Sequence, residues 1–270
     1  MPGICWVSPA TEDKAMTGKL LLQGMMAGIL AGIITFGFAH VFGEPQVDRA
    51  ISIEEQLSHS HQHAAAENGH HHDESDGEVF SRQTQSGAGL LSGVILFSAA
   101  MGGALALIWS FCWQRTGPAH PRALALTLAI AGFLVMSLMP GLKYPPNPPA
   151  VGDPSTIGYR TSLYFVMLLI SAVIMVAAAW SAHQLQPRLG AWNAALWGGV
   201  AGCIMMIVAC MLMPAINEVP TSFPADVLWR FRLSAIGTQL TMWCVMGLLF
   251  GAFAEKVVQK PALRQLADVR

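Results

Sequence analysis

The feature that most constrains this chain is a set of long segments without any Asp, Glu, Lys or Arg. Six such segments, each 20 to 25 residues long, lie at 20–42, 89–113, 123–142, 161–182, 191–213 and 233–254. A helix rises about 1.5 Å per residue, so about 20 residues cross the roughly 30 Å hydrocarbon core of a bilayer. A soluble helix would carry a charged face beside its apolar stripe, and none of these segments does. The sequence therefore predicts an all-α fold, a polytopic membrane helix bundle of about six transmembrane helices.

Composition supports a location in lipid and excludes several function classes. Charged residues make up 11% of the 270 residues, less than half of the roughly 25% found in soluble domains. The formal net charge is −1, so no basic surface indicates a nucleic-acid partner. The apolar segments contain neither H-E-x-x-H nor paired carboxylates, and the chain has no P-loop motif. We therefore expect a non-enzymatic membrane protein with no permanently bound cofactor.

Loop lengths and charge predict the topology. The connections run 46, 9, 18, 8 and 19 residues, so the long ones share one side of the membrane. The side with the termini and short loops carries nine basic and four acidic residues, against six basic and twelve acidic residues on the other side. Because Lys and Arg near spans are retained in the cytoplasm, both termini are predicted inside. The resulting organisation is a cytoplasmic segment 1–19, a transmembrane bundle 20–254 and a cytoplasmic tail 255–270, with 1–15 an upstream extension if Met16 is the true start.

A histidine-rich loop at 52–80 carries the clearest chemical signal. Six of the nine histidines fall within fourteen residues: His59, His61, His63, His70, His71 and His72. Neutral imidazole suits the later divalent transition metals, and nearby carboxylates add charge attraction. The intervening Ser, Gln, Ala, Asn and Gly cannot pack a core, so the loop is expected to be mobile. It predicts metal capture, with a hydrophilic spacer as the alternative.

Two further loops on the same side are rich in proline. Residues 143–154 cannot form a helix, and 217–226 have the same character, so both are expected to form stiff extended caps. The carboxylates beside the spans could gather at one outer vestibule and attract a hydrated cation, while neighbouring arginines hold some of them by ion pairing. The alternative is that the acids only pair with the arginines and stabilise the caps. The predicted outer pathway comprises His40, Glu44, Asp48, Asp153, Arg160, Glu218, Asp226, Arg230 and Arg232.

The apolar segments also carry signs of close packing and of repetition. Glycines four residues apart, which let helices approach, occur at Gly24, Gly28 and Gly32, at Gly89 and Gly93, at Gly198 and Gly202, and at Gly247 and Gly251. Pro140 and Pro214 mark the ends of the third and fifth segments, and Pro45 follows the first segment, which fits the pattern more loosely. This pattern is consistent with three hairpin repeats, although Pro and Arg also collect at membrane boundaries independently of any repeat.

Three motifs resemble a known family. The run Phe42 to Ile51, the loop Lys143 to Thr161 and the segment Asn217 to Gln239 resemble the predicted cobalt transporter family CbtA, over about residues 16–255. The resemblance implies a bacterial inner-membrane protein for cobalt uptake that works with a small single-span partner, CbtB. Members of the family have often been described with five spans. A membrane metal sensor or chaperone, or a nickel, copper or zinc transporter, remains the alternative function.

Overall fold

The fold is built from helices throughout its described part. The computed structural model describes residues 9–65, 81–113, 115, 120–149 and 151–268, and their side chains except at 9–15, 57–65, 154 and 260–268. The helices are α1 (Pro9–Phe38), α2 (Glu44–Ala65), α3 (Arg82–Thr84), α4 (Leu90–Trp113), α5 (Pro121–Phe133), α6 (Met139–Lys143), α7 (Ile157–Leu212) and α8 (Ala225–Asp268). Five-residue π-helical turns at Ala39–Gly43, Gln85–Gly89 and Leu134–Leu138 join α1 to α2, α3 to α4 and α5 to α6. The predicted all-α class is confirmed.

Five helical stretches within the described residues are long and apolar enough to cross a membrane. They are Met16–Gln56, Arg82–Trp113, Pro121–Lys143, Ile157–Leu212 and Ala225–Gln259. Large apolar side chains are exposed along them, including Leu96, Trp192 and Met211. Exposed apolar surface on this scale suits a lipid environment, because a soluble monomer rarely shows large contiguous apolar patches. The predicted helical membrane bundle is therefore confirmed.

Helix α7 holds two of the six apolar segments. Its 56 residues would extend about 84 Å as one straight helix, far more than a bilayer needs. Gly190 interrupts it with φ 76° and ψ 162°, a left-handed φ that suits a residue without Cβ. A Cβ built at Gly198 would lie 2.8 Å from the Ala178 carbonyl oxygen, so the chain folds back at Gly190 into two packed antiparallel helices. The difference between five helices and six segments arises from this hairpin.

Contacts divide the chain into two compact units. The first comprises Met1–His40, Glu78–Gly132 and Gly237–Arg270, and the second comprises Val41–Gly77 and Phe133–Ile236. In the first unit, α1 packs along α4 through the predicted glycines. A Cβ at Gly28 would meet the Ser98 carbonyl oxygen and lie 2.9 Å from the Cα of Ala99, and Gly24 lies equally close to Gly102. Small residues thus let the two backbones touch.

In the first unit, α4, α5 and α8 are held together by aromatic packing and an ion pair. The fully buried Trp109 meets Phe250 edge to face, with ring centroids 6.0 Å apart, and its indole N–H donates to the Pro121 carbonyl at 3.2 Å. At the end of this interface the Arg122 guanidinium binds the Glu255 carboxylate at 2.6 Å. Glu255 is the first residue of the segment predicted as a cytoplasmic tail. Helix α8 continues through this segment to Asp268.

In the second unit, α2 extends into the segment predicted to be a loop. The sequence predicts a histidine-rich loop from residue 52, whereas α2 remains helical to Ala65, and 66–80 lie outside the described residues. Ala50 and Ile53 of α2 pack into an apolar cluster, which anchors the helix there. The Glu, Gln and Ala residues that follow are good helix formers, so local propensity favours continuing the helix beyond that cluster.

Candidate functional site

The candidate site lies in the second unit, where the two proline-rich loops meet. We call this region the proline-rich cap and define it as residues 144–156 and 213–224. At their described residues both loops are non-helical apart from a short 3-10 turn at Pro154–Thr156, as their prolines predicted. The predicted segments 143–154 and 217–226 were slightly too long, because Lys143 ends α6 and Ala225 and Asp226 begin α8. Val151 and Phe223 are buried against Ala50 and Val227, so each loop packs on a helix as well as on the other loop. The cap is therefore a folded element.

Glu218 joins the two loops of the cap. Its Oε2 accepts the Asp153 backbone N–H at 3.1 Å and the Thr156 hydroxyl at 2.9 Å. The Arg160 Nε lies 3.2 Å from the same oxygen, an ion pair without the angle of a good hydrogen bond. Both side chains of this pair are mostly buried, with exposed fractions of 20% for Glu218 and 25% for Arg160. A single carboxylate oxygen thus accepts two hydrogen bonds and forms one ion pair near the start of α7.

The Arg160 guanidinium also shapes the loop around it. Its Nη2 donates to the Asp153 carbonyl at 3.2 Å, and the group fills the space where a Cβ would stand on Gly152. Gly152 has φ +113°, a conformation that other residues adopt rarely. Hydrogen bonds from the hydroxyl and backbone N–H of Ser155, and the nearby charge of Arg160, lower the pKa of the Asp153 carboxyl. Asp153 therefore turns the loop locally and stays ionised.

A second set of contacts ties the cap to the membrane helices. Pro214 has no N–H, so the carbonyl of Cys210, four residues earlier, lacks its α-helical donor. The Lys143 ammonium donates to that oxygen at 2.7 Å, and the Tyr144 hydroxyl donates to the Pro214 carbonyl at 2.8 Å. Burial, with smaller effects from Tyr159 and Cys210, raises the pKa of Tyr144, which keeps its hydroxyl protonated. A cation at the last turn of α7 also complements the helix dipole.

A comparable arrangement occurs at Pro140. This proline leaves the Met136 carbonyl without a donor at α-helical spacing, and the π-helical turn Leu134–Leu138 lies there. The Tyr164 hydroxyl donates to that carbonyl at 3.1 Å. In lipid an unsatisfied backbone group costs several kcal/mol, so such side-chain donors make a proline tolerable within a span. At both Pro140 and Pro214, two of the prolines that suggested a repeat, a side chain donates to the carbonyl that the proline leaves without its α-helical donor.

The remaining predicted pathway residues are spread over other contacts. Arg232 donates to the Asn147 side-chain oxygen at 2.9 Å and faces the Pro146 carbonyl, while Arg230 is exposed. Asp226 is exposed in the first turn of α8. Glu44 and Asp48 lie near the start of α2, where each interacts with another residue. His40 lies in the first unit, stacked on Phe36 with ring centroids 5.6 Å apart.

The structure leaves the predicted metal ligands largely outside its described part. His59, His61 and His63 lie in α2, but their side chains are not among those described, and His70, His71 and His72 fall within 66–80. Among the described side chains, no three of His, Cys, Asp and Glu stand close enough to share a metal ion. Glu218 and Asp153 make contacts that stabilise the cap, and their place in an outer pathway stays a prediction.

Sequence reasoning does not find the residues that bind freed carbonyls. Lys143 and Tyr144 stand out in the sequence only as loop residues, and Tyr164 does not stand out within its span. A signal exists, because a proline four residues after a span residue always frees one carbonyl. The donor that reaches this oxygen is set by tertiary packing, which the spacing does not reveal.

Comparison with known proteins identifies the family. A family model described as "Probable cobalt transporter subunit (CbtA)" matches residues 17–255, which is most of the chain. The chain belongs to the CbtA family. The matched region contains three of the five membrane-length helices of the described structure completely, most of the other two, and the whole proline-rich cap. Neither the curated proteins nor the solved structures contain a match to the chain.

Membership of the CbtA family agrees with the resemblance carried by the three sequence motifs. The family is one of transporter subunits, so the chain is a multi-pass membrane protein of a transport system, and cobalt is the substrate that the family description implies. Because the family description names one part of a transporter, it also implies at least one further component.

Proposed function

We propose that this protein is the membrane component of an uptake system for a divalent transition metal, with cobalt as its substrate. The observation that supports this most strongly is the CbtA family match over residues 17–255. The proposed location is the bacterial inner membrane, with both termini in the cytoplasm and the proline-rich cap outside. The charge asymmetry between the two sides of the chain supports this orientation.

In this proposal the six histidines capture metal from outside rather than conduct it. Six imidazoles within fourteen residues raise the local concentration of a borderline metal ion before it reaches the spans. Glu44, Asp48 and Asp226 add long-range attraction for a cation without ligating it. Glu218, which is held by Arg160 and two hydrogen-bond donors, has a structural role.

Entry needs no nucleotide hydrolysis by this chain. The free energy of a divalent cation falls by about 4.6 kcal/mol when the ion crosses 100 mV towards a negative interior, since each elementary charge contributes about 2.3 kcal/mol. The chain has no P-loop. The family description, which names a component of a transporter, supports a partner, for which we propose the small single-span protein CbtB. The membrane potential then supplies the driving force for uptake.

Radioactive cobalt uptake tests the proposed function directly. Cells that express the chain with its partner should accumulate ⁵⁷Co²⁺ faster than cells with the partner alone, and collapse of the membrane potential should abolish the difference. Nickel, copper and zinc are added as competitors to establish the metal. Equal accumulation with and without the chain would favour a sensor or chaperone, because neither moves ions across the membrane.

Replacement of the six histidines by Gln tests their role in capture. Uptake should fall mainly at low external cobalt and approach the unmodified rate at high cobalt. The control replaces His183, an exposed histidine outside the loop, and should change neither regime. Loss of uptake at every concentration in the six-residue variant would place the histidines in the conduction pathway instead.

Cysteine labelling tests the proposed topology. In a background without the native cysteines, Ser60→Cys should react with an impermeant thiol reagent added to intact cells, and Ala262→Cys should react only after lysis. Equal reactivity of the two positions from one side would reject the orientation and the even number of spans.

A further inference from the structure

A cluster of sulfur-bearing side chains lies in the second unit, beside the proline-rich cap. Five of the nine described residues that pack together there carry sulfur: Met139, Met167, Met206, Cys210 and Met213. The whole chain has 15 Met and 5 Cys among its 270 residues, so composition alone does not account for this concentration. The nine residues described in the cluster include no His, Asp or Glu. Sulfur is therefore the main metal-binding atom that the cluster offers.

Helical spacing separates these sulfurs from others nearby. The stretch 203–213 contains six sulfur-bearing residues, and those at 206, 210 and 213 recur on one face of the second helix of α7. The other three, Cys203, Met205 and Met211, are exposed. Met139 joins the cluster from α6, and Met167 joins it from the first helix of α7. The clustered sulfurs thus come from three different helices.

Burial decreases from the centre of the cluster to its edge. Met167 is fully buried and Met206 is 8% exposed, whereas Met139, Cys210 and Met213 are half-buried. The half-buried sulfurs give access from the surface, and the buried ones stand behind them. A metal site needs such an entry path as well as its ligands.

We propose that this sulfur cluster is a binding site for a soft monovalent metal ion, namely copper(I) or silver(I). Thioether and thiol sulfurs select such ions, whereas imidazole suits the divalent metals. The site therefore differs in its metal from the histidine-rich loop. The inference goes beyond the proposed uptake function and does not depend on it, because that function uses none of these sulfurs.

The charge of the surroundings also favours a monovalent ion. Thioethers are neutral, and the cost of burying an ion in a low-dielectric interior rises with the square of its charge. The Lys143 ammonium, which donates to the Cys210 carbonyl at 2.7 Å, repels a divalent cation more strongly than a monovalent one. Loss of the Cys210 thiol proton to solvent on binding would leave a thiolate that neutralises a monovalent ion completely and a divalent ion only in part.

Apolar packing is the alternative role of the cluster. Met fills irregular gaps in cores because its side chain is unbranched and flexible. Leu has a similar volume and is among the best tolerated replacements for a buried Met, but it offers no metal ligand. Met→Leu replacement therefore separates ligation from packing.

Silver binding to the purified full-length protein in detergent tests the site. Silver(I) is the probe because it stays monovalent without a reductant. The background protein carries Gln at the six histidines of the loop and Ser at the four other cysteines, which removes competing soft ligands: Cys5, Cys112, Cys203 and Cys244. Calorimetry should show about one Ag⁺ bound per chain, and a large excess of Co²⁺ should not displace it.

Met→Leu variants in this background locate the ligands. Met139→Leu, Met167→Leu and Met206→Leu together should weaken Ag⁺ binding at least about tenfold, since loss of a partner outside the ligand shell already costs about that much. The matched control, Met205→Leu with Met211→Leu, removes two exposed sulfurs and should leave the affinity unchanged. Because a bound ion ties α6 to both helices of α7, Ag⁺ should raise the unfolding temperature of the background and control proteins but not that of the triple variant.

X-ray absorption at the silver edge gives a test that does not depend on the variants, and it decides the matter if the triple variant fails to fold. In the background protein the bound ion should have sulfur neighbours alone. Absence of bound silver, or nitrogen and oxygen neighbours around it, would overturn the proposal. Equal affinity in the triple variant and the background protein would also overturn it, as would an equal loss in the exposed control.

Discussion

Replacement of Glu218 should show that it stabilises the proline-rich cap. Glu218→Ala removes the oxygen that accepts the Asp153 backbone N–H at 3.1 Å and the Thr156 hydroxyl at 2.9 Å, and it leaves Arg160 without its carboxylate. Glu218→Gln retains a side-chain oxygen that can accept both hydrogen bonds but loses the charge. The two variants therefore separate the hydrogen bonds from the ion pair.

The structure sets the expected magnitudes. Hydrogen bonds to a charged group contribute about 1.5–3 kcal/mol each, and Glu218 is about one-fifth exposed, which screens them in part. We expect Glu218→Ala to lower the free energy of unfolding by about 3 kcal/mol. Glu218→Gln should lower it by about 1 kcal/mol, since a largely buried ion pair is replaced by a neutral contact. Asp226→Asn, at an exposed carboxylate, should cost less than about 1 kcal/mol.

Unfolding of the purified protein in detergent, followed by circular dichroism during denaturant titration, measures these differences. A double-mutant cycle with Arg160→Ala isolates the coupling between the two charges. Cobalt uptake is measured in parallel and normalised to folded protein in the membrane. Normalised uptake should be unchanged in Glu218→Gln, because the carboxylate that this change removes faces the loop that contains Asp153.

Two results would refute this reasoning. If Glu218→Ala unfolds like the unmodified protein, the hydrogen bonds at Oε2 do not hold the cap. If Glu218→Gln is stable but transports cobalt several-fold more slowly, its charge acts on the ion, as the acidic-vestibule hypothesis predicts.

Three further predictions concern single positions. Gly28→Ala should destabilise the α1–α4 interface by about 2 kcal/mol, because its Cβ would meet the Ser98 carbonyl. Gly37→Ala, in the same helix, has open space around its Cβ and should be neutral or slightly stabilising in the same denaturant titration. Gly152→Ala should lower the thermal unfolding temperature, because a residue with a Cβ rarely adopts φ +113° and the Arg160 guanidinium occupies the place of that Cβ. Uptake should fall in proportion to the decrease in folded protein in the membrane. Normal expression and stability would contradict this. The lowered pKa of Asp153 stabilises the folded state above the ordinary value of 3.8, and this contribution is lost as the pH falls below that value, so Asp153→Asn should reduce the difference in thermal stability between about pH 6 and pH 3.

The helices could be predicted from the sequence because their signal is local. A charge-free run of 20 residues predicts a span wherever it stands, and all six runs lie in helices, with segments 161–182 and 191–213 merged into α7. The proline-rich loops were likewise predictable, since proline restricts its own residue and the one before it. The exception was the stretch up to Ala65, where packing of Ala50 and Ile53 anchors α2 and the helix continues through polar sequence.

The site was less predictable because its contacts are distant in sequence. Glu218 meets Asp153 and Arg160 across about 60 residues, and several carboxylates could have occupied that place. The sulfur cluster was likewise hidden, because Met139, Met167 and Met206 are distant in sequence. Only the packing of α6 and of the two helices of α7 brings their side chains together.

The fold-back at Gly190 has a consequence for how the chain enters the bilayer during synthesis. Ile174 and Met206 lie sixteen residues to either side of Gly190 and belong to one buried cluster, so the two apolar helices match along their length. Both are complete about fifty residues after the first begins, and no folded domain separates them. They can therefore partition into lipid as a pair. In the proposed orientation their polar connection around Arg188 stays in the cytoplasm and does not cross the hydrocarbon. An insertion of a long hydrophilic sequence at Gly190 would leave each helix to insert alone.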